Sequence, residues 1–238
     1  MEVLQAMIMP YGNFSSMLIL IPGILLSLWA QSKISSTYEQ YSRVGNERNI
    51  TGAQVARYIL DNAGLQKISI QPIQGKLTDH YDPKAKVLRL SEGVYDSSSV
   101  AALGIASHEV GHAIQDATNY GPMRLRGAIV PLAAVGGNLS MLLIMAGLLL
   151  SARGGQSSLV TIGVILFSTT VLFQLVTLPV EFDASKRALG FLNTGILAPS
   201  ELAGAKKVLS AAALTYVAAA LMAVLNLLRL VSLTRRRN

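Results

Sequence analysis

Long apolar segments and one extended polar stretch alternate along this chain of 238 residues. A helix needs about 20 consecutive, mostly apolar residues to cross the hydrocarbon core of a bilayer. Four segments reach or approach that length, at residues 14–30, 128–152, 158–180 and 209–228. The pattern predicts a mainly α, four-span polytopic membrane protein.

The first apolar segment is short and N-terminal, so a cleaved signal peptide is the alternative to a membrane anchor. Signal peptides begin with basic residues and end at a small-x-small cleavage site. No basic residue precedes this segment, and WAQSKISSTYEQ after it offers no convincing site of that kind. We therefore expect a retained anchor.

The polar stretch, residues 31–127, is close to the smallest size at which a domain can bury its own core. Apolar periodicity and turn residues predict an amphipathic helix, a strand and a hairpin turning at Asp82-Pro83-Lys84. A candidate N-cap followed by a stretch without proline until residue 122 predicts a long helix. The first three occupy residues 51–65, 67–73 and 77–91, and the long helix begins at Asp96 or Ser97. We expect a small α+β domain between the first and second spans.

Two of the three histidines stand four residues apart in the motif HEVGH, residues 108–112, within the predicted long helix. Residues i and i+4 share a helix face, so His108 and His112 can direct imidazole nitrogens at one cation, at the ~2.0–2.1 Å that zinc prefers. Glu109 is rotated off that face but can reach a water on the metal as general base. Gly111 permits another element to approach closely. A pair of hydrogen-bonded core histidines is the structural alternative.

A catalytic zinc commonly has three protein ligands, so a further ligand must come from elsewhere in the chain. Cysteine is absent, and no H-x-x-G-x-x-H follows the motif. The chain returns to the side of His108 after two more spans, where Pro179 can begin a helix that carries Glu181 and Ala184 on one face. Glu201 is the other glutamate of this segment. We expect Glu181 as the third ligand and one zinc ion per chain.

The runs LTDHYDPKAKVLRLSEGVYDSSSVAALGIASHEVGHAIQ and LPVEFDAS resemble the YugP-like family of bacterial neutral zinc metallopeptidases, and the likeness extends over nearly the whole chain. More distantly, the chain is similar to the HtpX-type and CAAX-prenyl membrane proteases, which hold zinc through the two motif histidines and the glutamate of E-x-x-A-D. The resemblance implies a hydrolase with a zincin-like domain of the gluzincin type.

Position by position, the resemblance assigns three zinc ligands and a general base, namely His108, His112, Glu181 and Glu109. Ser185 stands where the distant relatives have the Asp of E-x-x-A-D. That Asp would orient a ligand through a hydrogen bond. Here Asp183 or Asp116 is expected to take its place.

These features divide the chain into five segments: a first span with its N-terminal residues, the zincin-like domain, the second and third spans, a membrane-proximal helix with the third ligand, and the fourth span with a basic tail. Their expected bounds are 1–30, 31–127, 128–178, 179–207 and 208–238.

The net charge of +7 suits a chain lying against anionic lipids and requires no nucleic acid as partner. Loops on the inner side of a membrane carry an excess of Lys and Arg. More of these residues lie near span ends on the side of HEVGH than on the other side, which has Arg153, Arg229 and the arginines at 235–237. We therefore expect the active site on the cytoplasmic side of the cell membrane.

Two other functions fit parts of the pattern. A site-2-type intramembrane protease also uses H-E-x-x-H, but within a spanning helix, and VAALGIA before His108 is too short to span. A non-catalytic, zinc-stabilised scaffold would need the ligands but not Glu109. We expect instead an endopeptidase that acts on peptide or membrane-protein substrates.

Two side chains of the hairpin, His80 and Tyr81, are candidates for stabilising the oxyanion of a hydrolytic transition state. A structural role, in which the pair fixes a tight turn, is the favoured alternative. The hairpin is also expected to offer an edge strand to an extended peptide.

Overall fold

The computed structural model describes residues 14–151 and 158–235. Its helices are α1 (Phe14–Leu18), α2 (Ile21–Ser42), α3 (Gly52–Asn62), α4 (Glu92–Tyr95), α5 (Val100–Ala117), α6 (Gly121–Ser151), α7 (Ser158–Leu192) and α8 (Pro199–Arg235). Its strands are β1 (Ser69–Ile73), β2 (His80–Asp82) and β3 (Val87–Ser91). Arg153, Arg236 and Arg237, which enter the orientation argument, lie outside the described residues.

Four helical segments are long and apolar enough to cross a membrane, namely Ser16–Ser42, Gly121–Leu150, Ser158–Leu192 and Pro199–Ser232. Many of their large apolar side chains are exposed, Leu28 and Leu142 each to 65%. A long helix with such a surface is stable only in an apolar solvent. The prediction of a mainly α, four-span membrane protein with a small sheet between the first two spans is confirmed.

The described residues fall into two compact units. The first contains the described parts of Met1–Leu28, Leu125–Val176 and Val217–Asn238. Within it, α6 and α7 pack closely at two glycines: a Cβ at Gly136 would lie 2.9 Å from the carbonyl oxygen of Leu166, and one at Gly163 would lie 2.9 Å from that of Ser140. Small residues allow this approach between spanning helices.

The second unit consists of Trp29–Arg124 and Thr177–Tyr216. Its helix α3 begins at a capping box, in which the Thr51 hydroxyl accepts from the backbone N–H of Gln54 and the Gln54 side chain accepts from that of Thr51. Val55, Ile59 and Leu60 form the buried stripe of this helix. The amphipathic helix predicted for this region is confirmed.

The three-stranded sheet has the order β1-β3-β2, with β1 parallel and β2 antiparallel to β3. In the hairpin between β2 and β3, Asp82 Oδ1 accepts hydrogen bonds of 3.0 Å from the backbone N–H groups of Lys84 and Ala85. Leu88 and Leu90 of β3 are fully buried. The predicted strand and hairpin are confirmed, and β2 forms one edge of this sheet.

The helix that carries HEVGH begins later than predicted. Ser99, not Asp96 or Ser97, is its N-cap, and the Ser99 hydroxyl accepts from the N–H of Ala102. Ser97 and Ser98 lie outside the helix, and their carbonyl groups pair across the fold: Ser97 accepts from the N–H of Gly52, and Ser98 from that of Asn46. This long-range pairing keeps them out of the helix.

Helix α7 runs without interruption through Pro179, so the prediction that Pro179 begins a new helix is wrong. Proline removes one backbone donor, and membrane helices tolerate it where neighbouring groups compensate. Glu181 and Ala184 share one buried face of α7, as predicted, and Ala188 lies on the same face. The glutamate therefore lies on the same continuous helix as the third apolar segment.

Candidate metal centre

Side chains from two helices converge within the second unit. His108 and His112 extend from α5 and Glu181 from α7, and one ligand atom from each lies within 4.8 Å of the others. Glu181 Oε2 is 3.2 Å from His108 Nε2 and 3.4 Å from His112 Nε2. The three side chains are almost entirely buried. The structure thus brings together the three residues that the sequence selected as ligands.

Close packing of α5 on α7 makes this convergence possible. A Cβ at Gly111 would lie 2.7 Å from the carbonyl oxygen of Ala184 and 3.1 Å from its Cα atom. Real Cβ atoms do not approach backbone so closely, so only glycine fits at position 111. The expectation that Gly111 admits another element is confirmed, and that element carries Glu181.

Gln115, fully buried one turn after His112, fixes the tautomer of that histidine. Its Nε2 donates to the carbonyl oxygen of Val180 and to Asp183 Oδ2, each at 2.8 Å, and both partners can only accept. Its Oε1 therefore faces His112 Nδ1, at 2.9 Å. Because an amide oxygen accepts, Nδ1 carries the proton and the lone pair of the neutral ring is on Nε2, which faces Glu181.

His108 is held in a similar way from α7. Its Nδ1 lies 3.1 Å from the hydroxyl oxygen of Ser185, while its Nε2 faces Glu181. Ser185 itself thus contacts a ligand, at the position where the distant relatives have Asp. Asp183 contacts no ligand directly. It accepts hydrogen bonds from Gln115, which holds His112, and from Arg187 Nε.

The electrostatic environment favours a cation. Burial by itself lowers the pKa of His112, but hydrogen bonding to Glu181, together with the negative charges of Glu109 and Glu181, outweighs burial and raises it. Burial raises the pKa of Asp79, against hydrogen bonds from Ser91, and the charge of Glu109 adds to the rise. The raised pKa of His112 indicates that Glu109 and Glu181 create a negative potential at this histidine, whereas the rise at Asp79 comes mainly from burial.

The donor set fits zinc. Two imidazole nitrogens and one carboxylate oxygen are the ligands of many catalytic zinc sites, which leave a further position for water. Both imidazoles present Nε2 toward the carboxylate and have partners at Nδ1, as metal-binding histidines usually do. His108, His112 and Glu181 would hold the ion.

Glu109 lies beside this cluster but outside it. The residue is 9% exposed, and its Oε2 accepts a hydrogen bond of 3.1 Å from the backbone N–H of Tyr81 in β2. The N–H of an edge strand thus points at the carboxylate instead of at another strand. One fixed donor orients Glu109, and among the described residues no hydrogen bond engages its other oxygen, which suits a proton transfer.

The side chains of His80 and Tyr81 have structural partners. His80 Nδ1 donates to the carbonyl oxygen of Thr78 at 2.8 Å, and the Tyr81 hydroxyl donates to Asp116 Oδ2 at 2.7 Å. Burial raises the pKa of Tyr81, and the hydrogen bond to Asp116 raises it further, so the hydroxyl stays protonated. These contacts favour the structural alternative over an oxyanion role. Lys86 also binds Asp116.

Glu201 lies in the first turn of α8, apart from the cluster. Its carboxylate accepts hydrogen bonds from the backbone N–H groups of Ala198, at 2.8 Å, and Glu47, at 2.6 Å. Both donors belong to loop segments that this glutamate ties to the start of the helix. Its contacts are those of a structural carboxylate.

The roles of Gln115 and Ser185 escaped sequence reasoning. Gln115 follows His112 by three residues, a spacing that puts both on one helix face and could have identified it. Nothing local distinguishes Ser185 from other helical serines.

The motif helix α5 is not among the four candidate spans found in the described residues.

The family described as "Putative neutral zinc metallopeptidase" matches residues 16–235. The "Putative membrane protease YugP" of Bacillus subtilis (strain 168) is 49% identical over 212 residues, which cover 89% of this chain and 92% of that protein. No solved structure matches the chain. The resemblance seen in the motifs is confirmed, and the chain belongs to this family of neutral zinc metallopeptidases.

Proposed function

We propose that the protein is a membrane-embedded zinc metalloendopeptidase in which His108, His112 and Glu181 hold one zinc ion and Glu109 is the general base. The observation that carries the proposal is the convergence of these ligand atoms within 4.8 Å, with a separately oriented carboxylate beside them. A pair of satisfied core histidines would not require a third, buried carboxylate facing both rings.

Bound zinc would supply a Lewis acid that polarises the scissile carbonyl group and lowers the pKa of water. Glu109 takes a proton from the attacking water and delivers it to the leaving amine. The backbone N–H of Tyr81 keeps one Glu109 oxygen in place through this transfer. Gln115 and Ser185 hold the two imidazole rings in orientation.

The substrates we propose are extended or unfolded protein segments close to the bilayer. Glu181 is on the helix that contains the third apolar segment, and at about 1.5 Å per residue it is only a short distance from that segment. β2, in which the backbone N–H of Tyr81 binds Glu109, is an edge strand of the described sheet. Edge strands accept extended peptides, so a folded soluble protein is a poor substrate.

The distribution of Lys and Arg supports an active site on the cytoplasmic side of the cell membrane. Two lysines near span ends on this side, Lys33 and Lys206, are exposed. A reporter that is active only in the cytoplasm, fused after residue 238, should be inactive. Reporter activity there would reverse the proposed orientation.

The decisive experiment replaces Glu109 by Gln in the full-length protein and measures zinc content and hydrolysis of an unfolded substrate in detergent. Because position 109 lies outside the ligand cluster, the variant should keep its zinc while hydrolysis falls by orders of magnitude. Glu92→Gln, a change at an exposed glutamate of α4, should preserve both. Unchanged hydrolysis by the Glu109 variant would exclude this mechanism and favour a scaffold.

Mapping of cleavage sites in membrane-anchored substrates tests the substrate class. Cuts should fall near the ends of substrate spans and be absent from the Glu109→Gln control. Cuts deep within the spans would instead favour an intramembrane protease.

A further inference from the structure

A cavity of about 690 Å³ lies between α2 and α8 in the second unit. This is within the roughly 300–1,000 Å³ typical of small-molecule sites. Its lining includes Trp29, Lys33 and Thr37 from α2, and Lys206, Lys207 and Leu214 from α8. None of these residues belongs to the candidate metal centre.

The charge of this cavity is entirely positive. Its lining has three lysines and no carboxylate, and no ion pair joins these lysines to an acidic residue in the part of the chain that the structure describes. Lys207 Nζ lies 5.8 Å from the centre of the Tyr41 ring, in cation–π contact across the two helices. Three ammonium groups without a protein counter-ion attract an anion.

In both helices the lysines border a long uncharged stretch, which precedes Lys33 in α2 and follows Lys207 in α8. Lys33 is the first charged residue after Glu2, and Lys207 is the last before Arg229. Trp29 and Leu214 line the cavity from within these uncharged stretches. Tryptophan is enriched where a bilayer meets water. The cavity thus joins a cationic end to an apolar end, as a phospholipid joins its phosphate to its acyl chains.

We propose that this cavity binds the phosphate-bearing headgroup of an anionic phospholipid, with Lys33, Lys206 and Lys207 around the phosphate and Trp29 and Leu214 against the first part of the acyl chains. Basic cavities between spanning helices are suited to such headgroups. A free phosphate ion would use the lysines but leave the apolar end unused. The lipid would bridge α2 and α8. This site is independent of the proposed peptidase activity.

The test uses Trp29, which is the only tryptophan of the chain and lines the cavity. Full-length protein is reconstituted into vesicles that contain phospholipids brominated on the acyl chains, with either a phosphatidylglycerol or a phosphatidylcholine headgroup at equal mole fraction. Bromine quenches tryptophan fluorescence on contact. Brominated phosphatidylglycerol should quench Trp29 more strongly, and equal quenching by the two lipids would refute the proposal.

The triple variant Lys33→Gln, Lys206→Gln, Lys207→Gln should lose this preference. Each lysine near the surface contributes about fivefold to the affinity for anionic lipid. The control variant Lys67→Gln, Lys84→Gln, Lys186→Gln removes the same charge from exposed positions outside the cavity and should keep the preference. Equal losses in both variants would show attraction by net charge alone and refute a specific site.

Three further measurements complete the test. The triple variant to Arg at the same three lysines should keep the preference, because guanidinium groups also bind phosphate; its loss would contradict the charge argument. Quenching by brominated phosphatidylcholine should be the same in all variants, which shows that they are folded in the bilayer. Added inorganic phosphate should leave the preference for phosphatidylglycerol unchanged. If phosphate abolished this preference, a soluble anion would be the ligand instead.

Discussion

The side-chain oxygen of Gln115 lies 2.9 Å from Nδ1 of His112, and the amide nitrogen of Gln115 is fixed by two acceptors on α7. One glutamine therefore sets the tautomer of a proposed zinc ligand and ties its helix to the helix that carries Glu181. The orientation of the imidazole is thus determined by a residue that neither binds the metal nor takes part in the chemistry.

Gln115→Leu should weaken zinc binding by about 10- to 100-fold, the usual effect of removing a partner that orients a ligand. Leucine keeps most of the volume but cannot accept from Nδ1 of His112. Competition with a metal-binding dye would measure the affinity. Gln66→Leu, at an exposed glutamine, is the control. An unchanged affinity in the Gln115 variant would show that the tautomer is not set by this residue.

Glu181→Ala should reduce zinc affinity by more than about 100-fold, because it removes a ligand and not merely an orienting partner. Glu201→Ala should retain full zinc content. It should instead lower the free energy of unfolding by about 1–2 kcal/mol, since two backbone N–H groups lose their acceptor. Metal analysis and thermal unfolding of both variants separate the two roles. Zinc loss in Glu201→Ala together with full zinc content in Glu181→Ala would instead identify Glu201 as the ligand.

Gly111→Ala should separate α5 from α7. The added Cβ would lie 2.7 Å from the carbonyl oxygen of Ala184, and such overpacking costs about 1–3 kcal/mol. Displacement of α7 also moves Glu181, so zinc content should fall along with stability. Gly190→Ala is the matched control in α7, because a Cβ there meets nothing within 4 Å. It should keep its zinc and gain up to about 1 kcal/mol.

Tyr81→Phe should reduce kcat by less than about tenfold. The hydroxyl donates to Asp116, and the variant keeps the backbone N–H that holds Glu109. Loss of a true oxyanion donor costs about 10²–10³ in kcat. Steady-state hydrolysis of an unfolded substrate distinguishes the two. A reduction in kcat of about 10²- to 10³-fold would instead show that the Tyr81 hydroxyl stabilises the oxyanion.

The local part of the site could be read from the sequence. His108 and His112 share a helix face because of their spacing alone, and that helix is predicted from a candidate N-cap and the absence of proline before residue 122. The spans follow from the length of apolar segments, a property that needs no partner. Glu181 was predicted less directly, because two spans return the chain to the side of His108. This reasoning identifies the segment that can supply a ligand, but not the contact that its side chain makes.

Only the tertiary structure decided what depends on groups far apart in the chain. Ser99 rather than Asp96 caps α5 because the preceding residues pair with the loop before α3. α7 continues through Pro179, against the local preference of proline. Gln115 and Ser185 acquire their roles from contacts 65 to 77 residues away in sequence. Such hydrogen bonds leave no periodic trace, because their geometry exists only once α5 and α7 have packed through Gly111.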